Sequence, residues 1–229
     1  DGNISLDQEP ANLEAFALAL AAHNSGGKVL VQVRTAVQRG SLPPRSVRIP
    51  APLVDAVVVE PNQPLSHQTF YDPTLTGEMQ GIESPQTQQS FARAPFTERS
   101  AVAKRAAAEL FDDAVINYGF GIPDAIAKLL AARGDIDRYY QTIEHGTYGG
   151  TLMDGVLFGY ARNPTAMIDS PSQFDFYSGG GLDIAFLGMG EVDAAGNVNV
   201  SRLGGLTVGP GGFMDIAQNA KKVVFCGTF

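Results

Sequence analysis

Short apolar runs recur along this chain and alternate with longer segments whose apolar residues have helical spacing. The runs are KVLVQV from Lys28, DAVVVE from Asp55, DAVINYGFGIP, YYQTIEHG, TAMID, DIAFLGMGEV and KKVVFCG. The helical segments are NLEAFALALAAHN (residues 12–24), TERSAVAKRAAAELF and DAIAKLLAARG. Because strands that alternate with helices pair in parallel, the sequence predicts an α/β fold of mostly parallel sheets flanked by helices.

Start and stop signals support the predicted helices. Gly26 and Gly27 follow the first helical segment and predict its end. Thr97 has the side chain of an N-cap residue for the second segment, and Pro123 suits the first turn of the third. Each predicted helix therefore has a residue that fixes one of its ends.

The composition changes in the middle of the chain. Residues 61–95 are rich in Pro, Gln, Ser and Thr and have little apolar periodicity. We interpret them as a linker between a first unit, residues 1–60, and a second unit, residues 96–229. The chain begins at Asp1 without a methionine and its last residues form a strand-like run, so we expect a segment of a longer protein.

Composition also excludes several classes of protein. Hydrophobic residues make up 44% of the 229 residues and charged residues 17%, which is typical of a globular protein. The sequence has no apolar run of the ~18 residues that a membrane span needs and no opening signal segment, so we expect a cytoplasmic protein without membrane contact. The formal net charge of -8 disfavours nucleic-acid partners, because a phosphate backbone attracts a basic surface.

Cysteine and histidine usage argues against metal and redox chemistry. Cys226 is the single cysteine, and no Cys/His cluster has the spacing of a zinc site. We therefore expect no disulfide and no metal, and we interpret Cys226 as a buried apolar residue of a strand.

Glu144, in TIEHGTYGG, is the most prominent candidate for a functional residue. It ends one predicted strand, and NYGFGIP ends another, so both are expected at the carboxyl edge of a parallel sheet, where ligands bind. A carboxylate with an ordinary pKa of ~4.3 is ionised at neutral pH and can act as a base, a ligand or a nucleophile. The alternative is a solvated turn residue, and His145 could orient Glu144, act as an acid or be structural.

Two glycine-rich stretches raise a similar choice. The amides of Gly180 and Gly181, which precede a predicted strand, could stabilise the oxyanion that forms when a nucleophile attacks a thioester, or they could form a tight turn. GPGG, which contains Gly211 and Gly212, could hold a phosphate or be a flexible loop. NYGFGIP has only a GxG pattern, which is too weak for a dinucleotide site.

Several motifs in order resemble the family I coenzyme A transferases, in particular the fused single-chain acetate/propionate/acetoacetate type. The stretches QFDFYSGGGLDIAFLGMGEVDAAGNVNVSRLGG and GPGGFMDIAQNAKKVVFCGTF carry most of the resemblance. VINYGFGIP resembles the strand-to-glycine motif of that family, and TIEHGTYGG falls at its glutamate motif. HNSGGKVLVQV and PRSVRIPAPLVDAVVV resemble the end of its first domain. The resemblance covers nearly all 229 residues.

The resemblance implies a reaction and a set of site residues. Glu144 would be the nucleophile of a ping-pong transfer of coenzyme A from a short-chain acyl-CoA to a carboxylate, through a glutamyl-CoA thioester. Gly180 and Gly181 would supply oxyanion amides. The positions implied for substrate or coenzyme A binding are Asn117, Gly119, Gly121, Gly146, Gly149, Gly150, Gly211 and Gly212.

The resemblance also implies the partners and the extent of the whole protein. Coenzyme A would be a substrate, with no metal or further cofactor, and the protein would be a dimer or tetramer. The chain would hold the tail of a first α/β domain and most of a second, similar one. His145, Tyr118 and Phe120 differ from the residues usual in the family, which leaves the preferred acyl group and acceptor open.

Two other functions remain open at this point. The first is an acyl-CoA hydrolase or a sugar-phosphate isomerase on a similar scaffold, in which Glu144 would be a general base. The second is a noncatalytic module that senses or binds coenzyme A.

Overall fold

The computed structural model describes residues 1–63, 71–81 and 96–228. Its helices are α1 (Ala15–Asn24), α2 (Glu98–Ala107), α3 (Asp124–Arg133), α4 (Ser170–Phe176) and α5 (Phe213–Asn219). Its strands are β1 (Ile4–Ser5), β2 (Leu30–Val33), β3 (Val47–Ile49), β4 (Ala56–Val59), β5 (Val115–Tyr118), β6 (Tyr140–Ile143), β7 (Thr147–Tyr148), β8 (Thr151–Leu152), β9 (Ala161–Arg162), β10 (Ala166–Met167), β11 (Ile184–Gly188), β12 (Glu191–Val192), β13 (Val198–Asn199), β14 (Arg202–Leu203), β15 (Leu206–Thr207) and β16 (Lys222–Cys226).

A six-stranded sheet forms the centre of the larger part of the chain. Its strand order is β10-β7-β6-β5-β11-β16. Strands β6, β5, β11 and β16 run parallel to one another, while β7 pairs antiparallel with both β6 and β10 at one side. The predicted α/β class with mostly parallel strands is therefore confirmed.

Alternation of side chains along β11 places two apolar layers on the sheet. Ile184 and Phe186 are fully buried in a cluster with α2 and α3, on one face. Ala185 and Leu187 point to the other face, where they pack with Ile216 of α5. A fully buried side chain of this size contributes about 1.5 to 3 kcal/mol, so helices are required on both faces.

Helix ends follow the residues that the sequence singles out. Thr97 is the N-cap of α2, and its hydroxyl accepts a hydrogen bond from the amide of Ser100 at 3.2 Å. Pro123 directly precedes α3, and Gly134 ends this helix in the left-handed conformation at φ +71°. The predicted start of α1 is wrong by three residues, because Leu13 has φ +49° and helical geometry begins only at Ala15.

The first 60 residues form a smaller set of elements. Strands β2 and β4 pair in parallel, β1 and β3 pair antiparallel, and α1 packs on them through a small apolar cluster. Asp55 ties β2 to β4, since its carboxylate accepts hydrogen bonds from the amide of Val29 at 2.9 Å and from Lys28 at 2.7 Å.

Part of the segment interpreted as a linker has defined contacts. The side chain of Asn163 accepts a hydrogen bond from the backbone amide of Gly81 at 2.7 Å and donates one to the carbonyl of Gly81 at 3.0 Å. The backbone amide of Asn163 donates to the carbonyl of Thr74 at 2.8 Å. The segment 71–81 is thus held against the end of β9. The rest of the linker, residues 64–70 and 82–95, lies outside the described residues, and the boundaries between units stay a prediction.

Two classes of feature are missing from the part of the chain that the structure describes. None of its helices has the length and apolar character needed to cross a membrane. The same residues contain no group of three or more His, Cys, Asp or Glu side chains that could hold a metal ion. Cys226 is 2% exposed in β16, which confirms its interpretation as a buried strand residue.

Candidate active site at the carboxyl edge of the parallel strands

Glu144 is the first residue of the tight turn that joins β6 to β7, and it therefore lies at the carboxyl end of β6. The turn is closed by a hydrogen bond from the amide of Gly146 to the carbonyl of Ile143 at 2.9 Å. Gly146 has φ +96°, and a β-carbon there would overlap the carbonyl oxygen of Ile168. Only glycine fits at this position, so the turn that presents Glu144 depends on it.

A buried polar network lies beneath Glu144 in the sheet. Asn117 of β5 and Thr142 of β6 are register partners, and neither is more than 1% exposed. The hydroxyl of Thr142 donates to the carbonyl of Ile116 at 2.7 Å, so it accepts from the hydroxyl of Tyr177, also at 2.7 Å. Asn117 donates through Nδ2 to the oxygen of Tyr177 at 3.2 Å. The network fixes the strand ends that carry the site.

The carboxylate of Glu144 lies against the start of α5. A β-carbon on Gly212, the residue before α5, would be 3.1 Å from Oε2 of Glu144 and 2.6 Å from Cζ of Phe174. Phe174 in turn meets Tyr177 edge to face, with ring centroids 6.1 Å apart. The structure thus brings Glu144 together with Gly212, two residues that the sequence places in separate motifs.

The environment of Glu144 shifts its titration. The residue is partly buried, and burial raises the pKa of its carboxyl above the ordinary value because the charged form loses hydration. Burial also raises the pKa of Tyr177 to about 12, and the nearby charge of Glu144 adds to this increase. Tyr177 is therefore a neutral phenol at physiological pH and serves as a hydrogen-bond donor.

His145 is held on the other side of the turn. Its Nδ1 is 3.1 Å from the carbonyl oxygen of Gly159, and its ring centroid is 6.0 Å from that of the buried Tyr160. Gly159 has φ +101°, and a β-carbon on it would overlap the imidazole ring. The side chain of His145 therefore fills the space that a glycine leaves in the segment before β9.

The other two family departures have different environments. Tyr118 is 2% exposed and stacks on Phe186 inside the core, with ring centroids 6.0 Å apart. Phe120 is 66% exposed beyond the end of β5 and meets Phe158 edge to face at 5.3 Å. Tyr118 is thus a packing residue, and Phe120 lies at the same edge as Glu144.

Four predicted binding positions have close contacts within the protein. Asn117 is buried and bonded to Tyr177, and Gly119 donates to the carbonyl of Phe186 at 2.7 Å. A β-carbon on Gly149 would be 2.6 Å from Oγ1 of Thr165, and one on Gly150 would overlap the carbonyl of Arg162. Like Gly146, these residues are explained by packing, and their role in binding stays a prediction. Gly121 and Gly211 also have positive φ, but a β-carbon at either position would meet no atom within 4 Å.

Gly180 and Gly181 lie at the opposite end of the parallel strands from Glu144. They precede β11, whose first residue Ile184 is in register with Gln141 of β6 through β5, whereas Glu144 follows Gln141 by three residues. The two glycines follow α4, and Gly180 has φ +91°, so the backbone leaves helical geometry at this glycine before β11 begins. This placement favours the tight-turn interpretation, and the oxyanion role of the two amides stays a prediction.

Sequence reasoning missed Tyr177, Thr142 and Gly159. The first two meet across 35 residues, and no local spacing indicates that contact. Gly159 stands directly before an aromatic residue in LFGY. That pattern does not predict its contact with His145, which lies 14 residues earlier in the chain.

The fold and the site together define a class of protein. It is an α/β protein in which the partly buried carboxylate of Glu144 lies at the carboxyl edge of the parallel strands, beside a glycine that precedes a helix. Such edges are where α/β proteins bind ligands.

Comparison with known proteins assigns the family. The chain is 40% identical over 228 residues to acetate CoA-transferase YdiF from Escherichia coli O157:H7, which covers 100% of this chain and 42% of that protein. It is also 40% identical over 237 residues to caffeate CoA-transferase from Acetobacterium woodii, covering 100% of this chain and 44% of that protein. No protein-family model matches.

Solved structures agree with the sequence comparison. The crystal structure of the thioester complex of YdiF from E. coli O157:H7 with CoA matches with a TM-score of 0.85 and 38% identity, over 99% of this chain and 41% of that chain. The chain belongs to the family I coenzyme A transferases. It spans about two fifths of the length of the acetate and caffeate CoA-transferases named above.

Proposed function

We propose that the protein containing this chain transfers coenzyme A between a short-chain acyl-CoA and a carboxylate, by a ping-pong reaction through a thioester on Glu144. The observation that carries the proposal is the position of Glu144, a partly buried carboxylate at the carboxyl edge, in a chain that aligns along its whole length with CoA-transferases. The YdiF structure described as a thioester complex with CoA supports a covalent intermediate.

The first half of the reaction forms the thioester. A carboxylate oxygen of Glu144 attacks the thioester carbon of the acyl-CoA, and the carbon–sulfur bond breaks. The CoA thiolate is released, and the acyl group and Glu144 are joined in a mixed anhydride. The thiolate then attacks Cδ of Glu144, and the acyl group departs as its carboxylate. No net proton is taken up or released, so these steps require no general base.

The second half reverses these steps with a different acid. The acceptor carboxylate attacks Cδ of Glu144 and expels the CoA thiolate, which gives a second anhydride. The thiolate attacks the acceptor carbonyl, forms the new acyl-CoA and releases the carboxylate of Glu144. The relatives named for acetate and caffeate indicate that acceptors of this family are carboxylates of different size.

The surroundings of Glu144 suit this chemistry. An anhydride and an acyl thioester are both destroyed by water, so a site with restricted hydration protects them. The burial that raises the pKa of Glu144 also makes its ionised form less solvated and more nucleophilic. Binding energy from the distant nucleotide of coenzyme A can be used to bring the thioester against the carboxylate.

Further features of the whole protein belong to the same proposal. Coenzyme A is a substrate, and the reaction as written needs no metal or other cofactor. Asn117 and the glycines at 119, 121, 146, 149, 150, 211 and 212 are the positions expected to bind or support the substrate, and residues 1–60 and 96–229 belong to two α/β domains joined by residues 61–95. We expect a cytoplasmic dimer or tetramer.

Intact-mass analysis tests the central step. The full-length protein that contains this chain is mixed with acetyl-CoA or acetoacetyl-CoA in the absence of an acceptor. A mass gain equal to coenzyme A minus water, located on the peptide with Glu144 and removed by hydroxylamine, supports the proposal. Glu144→Ala and Glu144→Gln should show no gain while they still bind coenzyme A, and normal ping-pong transfer by Glu144→Ala would refute it.

The same experiment separates the alternatives. A hydrolase or isomerase with Glu144 as a general base would turn over without the adduct, because a base forms no bond to the acyl group or to sulfur. The names of the relatives do not favour that alternative. A noncatalytic coenzyme A module would bind the ligand with neither adduct nor turnover.

A further inference from the structure

We propose that His145 is a positioning residue: the hydrogen bond from its ring nitrogen Nδ1 to the carbonyl of Gly159 holds the turn that presents Glu144. This inference rests on the proposed function of Glu144. It assigns a role to a side chain that stands next to the nucleophile in the sequence but is held by a different segment of the chain.

The contact between His145 and Gly159 is close and shaped for an imidazole. Gly159 is buried, has φ +101°, and its hypothetical β-carbon would coincide with the edge of the His145 ring. The ring of Tyr160, which is fully buried, also lies near the imidazole, with ring centroids 6.0 Å apart. The imidazole of His145 is therefore in contact with the backbone of Gly159 and close to a core aromatic residue.

The hydrogen bond fixes which nitrogen carries the proton. A carbonyl oxygen only accepts, so Nδ1 of His145 must be the donor to Gly159 at 3.1 Å. Nδ1 keeps its hydrogen in the protonated imidazolium as well as in this neutral tautomer. The bond to Gly159 is thus available in both states of the ring, which is what a fixed structural contact requires.

The hydrogen bond between His145 and Gly159 affects the position of Glu144 through the single peptide unit that joins residues 144 and 145. The turn has only three residues, Glu144 to Gly146; Ile143 closes it on one side, and the amide of Ile168 donates to the carbonyl of Gly146 at 2.8 Å on the other. His145 is the middle residue of this turn. Its hydrogen bond to the carbonyl of Gly159 joins the turn to the segment before β9, and loss of the side chain removes that connection. A displacement of about 1 Å at a reacting group can lower a rate by about 100-fold.

Asparagine is the substitution that isolates this role. Nδ2 of an asparagine at 145 is attached to Cγ as Nδ1 is in histidine, so His145→Asn can donate to the carbonyl of Gly159 while it removes the titratable ring. His145→Ala removes donor and ring together. His23→Ala, in the exposed last turn of α1, is the matched control for loss of a histidine.

Gly159→Ala tests the other partner. Its side chain would enter the space of the His145 ring and would also be strained by the positive φ. Gly155→Ala is the control, because Gly155 lies in the same segment at φ +59° but has open space around its hypothetical β-carbon. The clash with the His145 ring is present in Gly159→Ala and absent from Gly155→Ala.

The experiment measures the rate of the CoA adduct on the full-length protein by rapid-quench mass spectrometry, with the melting temperature of each variant and its Kd for coenzyme A. We expect His145→Ala and Gly159→Ala to slow adduct formation at saturating acyl-CoA by about tenfold or more while Kd changes less than about threefold. His145→Asn should stay within about threefold of the wild type, with an unchanged pH profile, and both controls should do so too.

Two outcomes overturn the inference without touching the proposed function. One is a wild-type rate in His145→Ala. The other is a loss in His145→Asn as large as in His145→Ala, together with a missing limb of the pH profile, which would make His145 an acid or base. Absence of any adduct on the wild-type protein would instead refute the proposed function, and the inference with it.

Discussion

Oε2 of Glu144 would be only 3.1 Å from a β-carbon on Gly212, so the carboxylate and the residue before α5 share one small space. Gly212 has φ -77°, a value that any residue can adopt. The glycine is therefore required by the approach of Glu144 and Phe174, and not by backbone strain. Enlarging this residue tests whether the space beside the carboxylate is used in the reaction.

Gly212→Ala should lower kcat for coenzyme A transfer by about tenfold or more, because the added methyl group presses on both Phe174 and the carboxylate. The melting temperature should fall only slightly, since the ring of Phe174 is partly exposed and can shift. Gly179→Ala is the matched control, because a β-carbon there meets no atom within 4 Å. Equal kcat values for the two variants would show that the space beside Glu144 is not used.

Gly180→Ala and Gly181→Ala distinguish an oxyanion site from a turn. Gly180 has φ +91°, and a β-carbon on Gly181 would overlap the ring of Phe176, so we expect each variant to lose about 1 to 3 kcal/mol of stability. The adduct rate of the folded protein should stay within about threefold. The sequence-based oxyanion role requires at least a tenfold drop in kcat, with little loss of stability except where φ is positive, as it is at Gly180. Rapid-quench kinetics therefore decides between the two roles, and urea unfolding measures the loss of stability in each variant.

The course of the main sheet and the place of Glu144 could be predicted from local patterns. Apolar runs that are followed by glycine or a charged residue predict strands β5, β6, β11 and β16. The predicted end of β6 places Glu144 at the carboxyl edge of the sheet. The order of elements along the chain also predicts the end of the sheet at which Gly180 lies, because this residue precedes β11. A residue that precedes a parallel strand lies at the amino end of the sheet, and one that follows a strand lies at the carboxyl end.

The supporting contacts of the site could not be predicted in this way. Tyr177 reaches Thr142 across 35 residues and Asn117 across 60 residues, and Gly212 meets Glu144 across a similar separation. These contacts depend on how α4 and α5 pack on the sheet, which is a tertiary property. Sequence periodicity identifies the face that a helix buries but not the partner of an individual polar group.

Tyr177→Phe tests the buried network. It leaves the hydroxyl of Thr142 without its donor and Nδ2 of Asn117 without its acceptor, so we expect a loss of about 1 to 3 kcal/mol in the free energy of unfolding. Tyr118→Phe is the matched control. Its hydroxyl is buried and has no hydrogen-bond partner within the described ranges, so its removal should be neutral or stabilising. Urea unfolding of both variants gives the comparison, and similar losses would contradict a specific network.

The raised pKa of Glu144 has a defined effect on stability. Because the pKa of the folded protein is above the ordinary value, the native state keeps a proton at pH values where the unfolded chain has lost it. Stability is thus highest below the ordinary carboxyl pKa and falls as the pH rises through the interval between the two values. Above the folded pKa the full penalty of a buried charge remains.

Glu144→Gln removes this penalty while it keeps the size of the side chain. The variant should therefore melt above the wild type near neutral pH, and the difference should vanish below about pH 4, where the carboxyl group of Glu144 is protonated in both the folded and the unfolded chain. Glu14→Gln, at an exposed carboxylate, is the control and should show no such pH-dependent gain. Thermal unfolding scans between about pH 4 and about pH 8 measure both, and superimposable curves for Glu144→Gln and the wild type would mean that burial does not penalise the charge of Glu144.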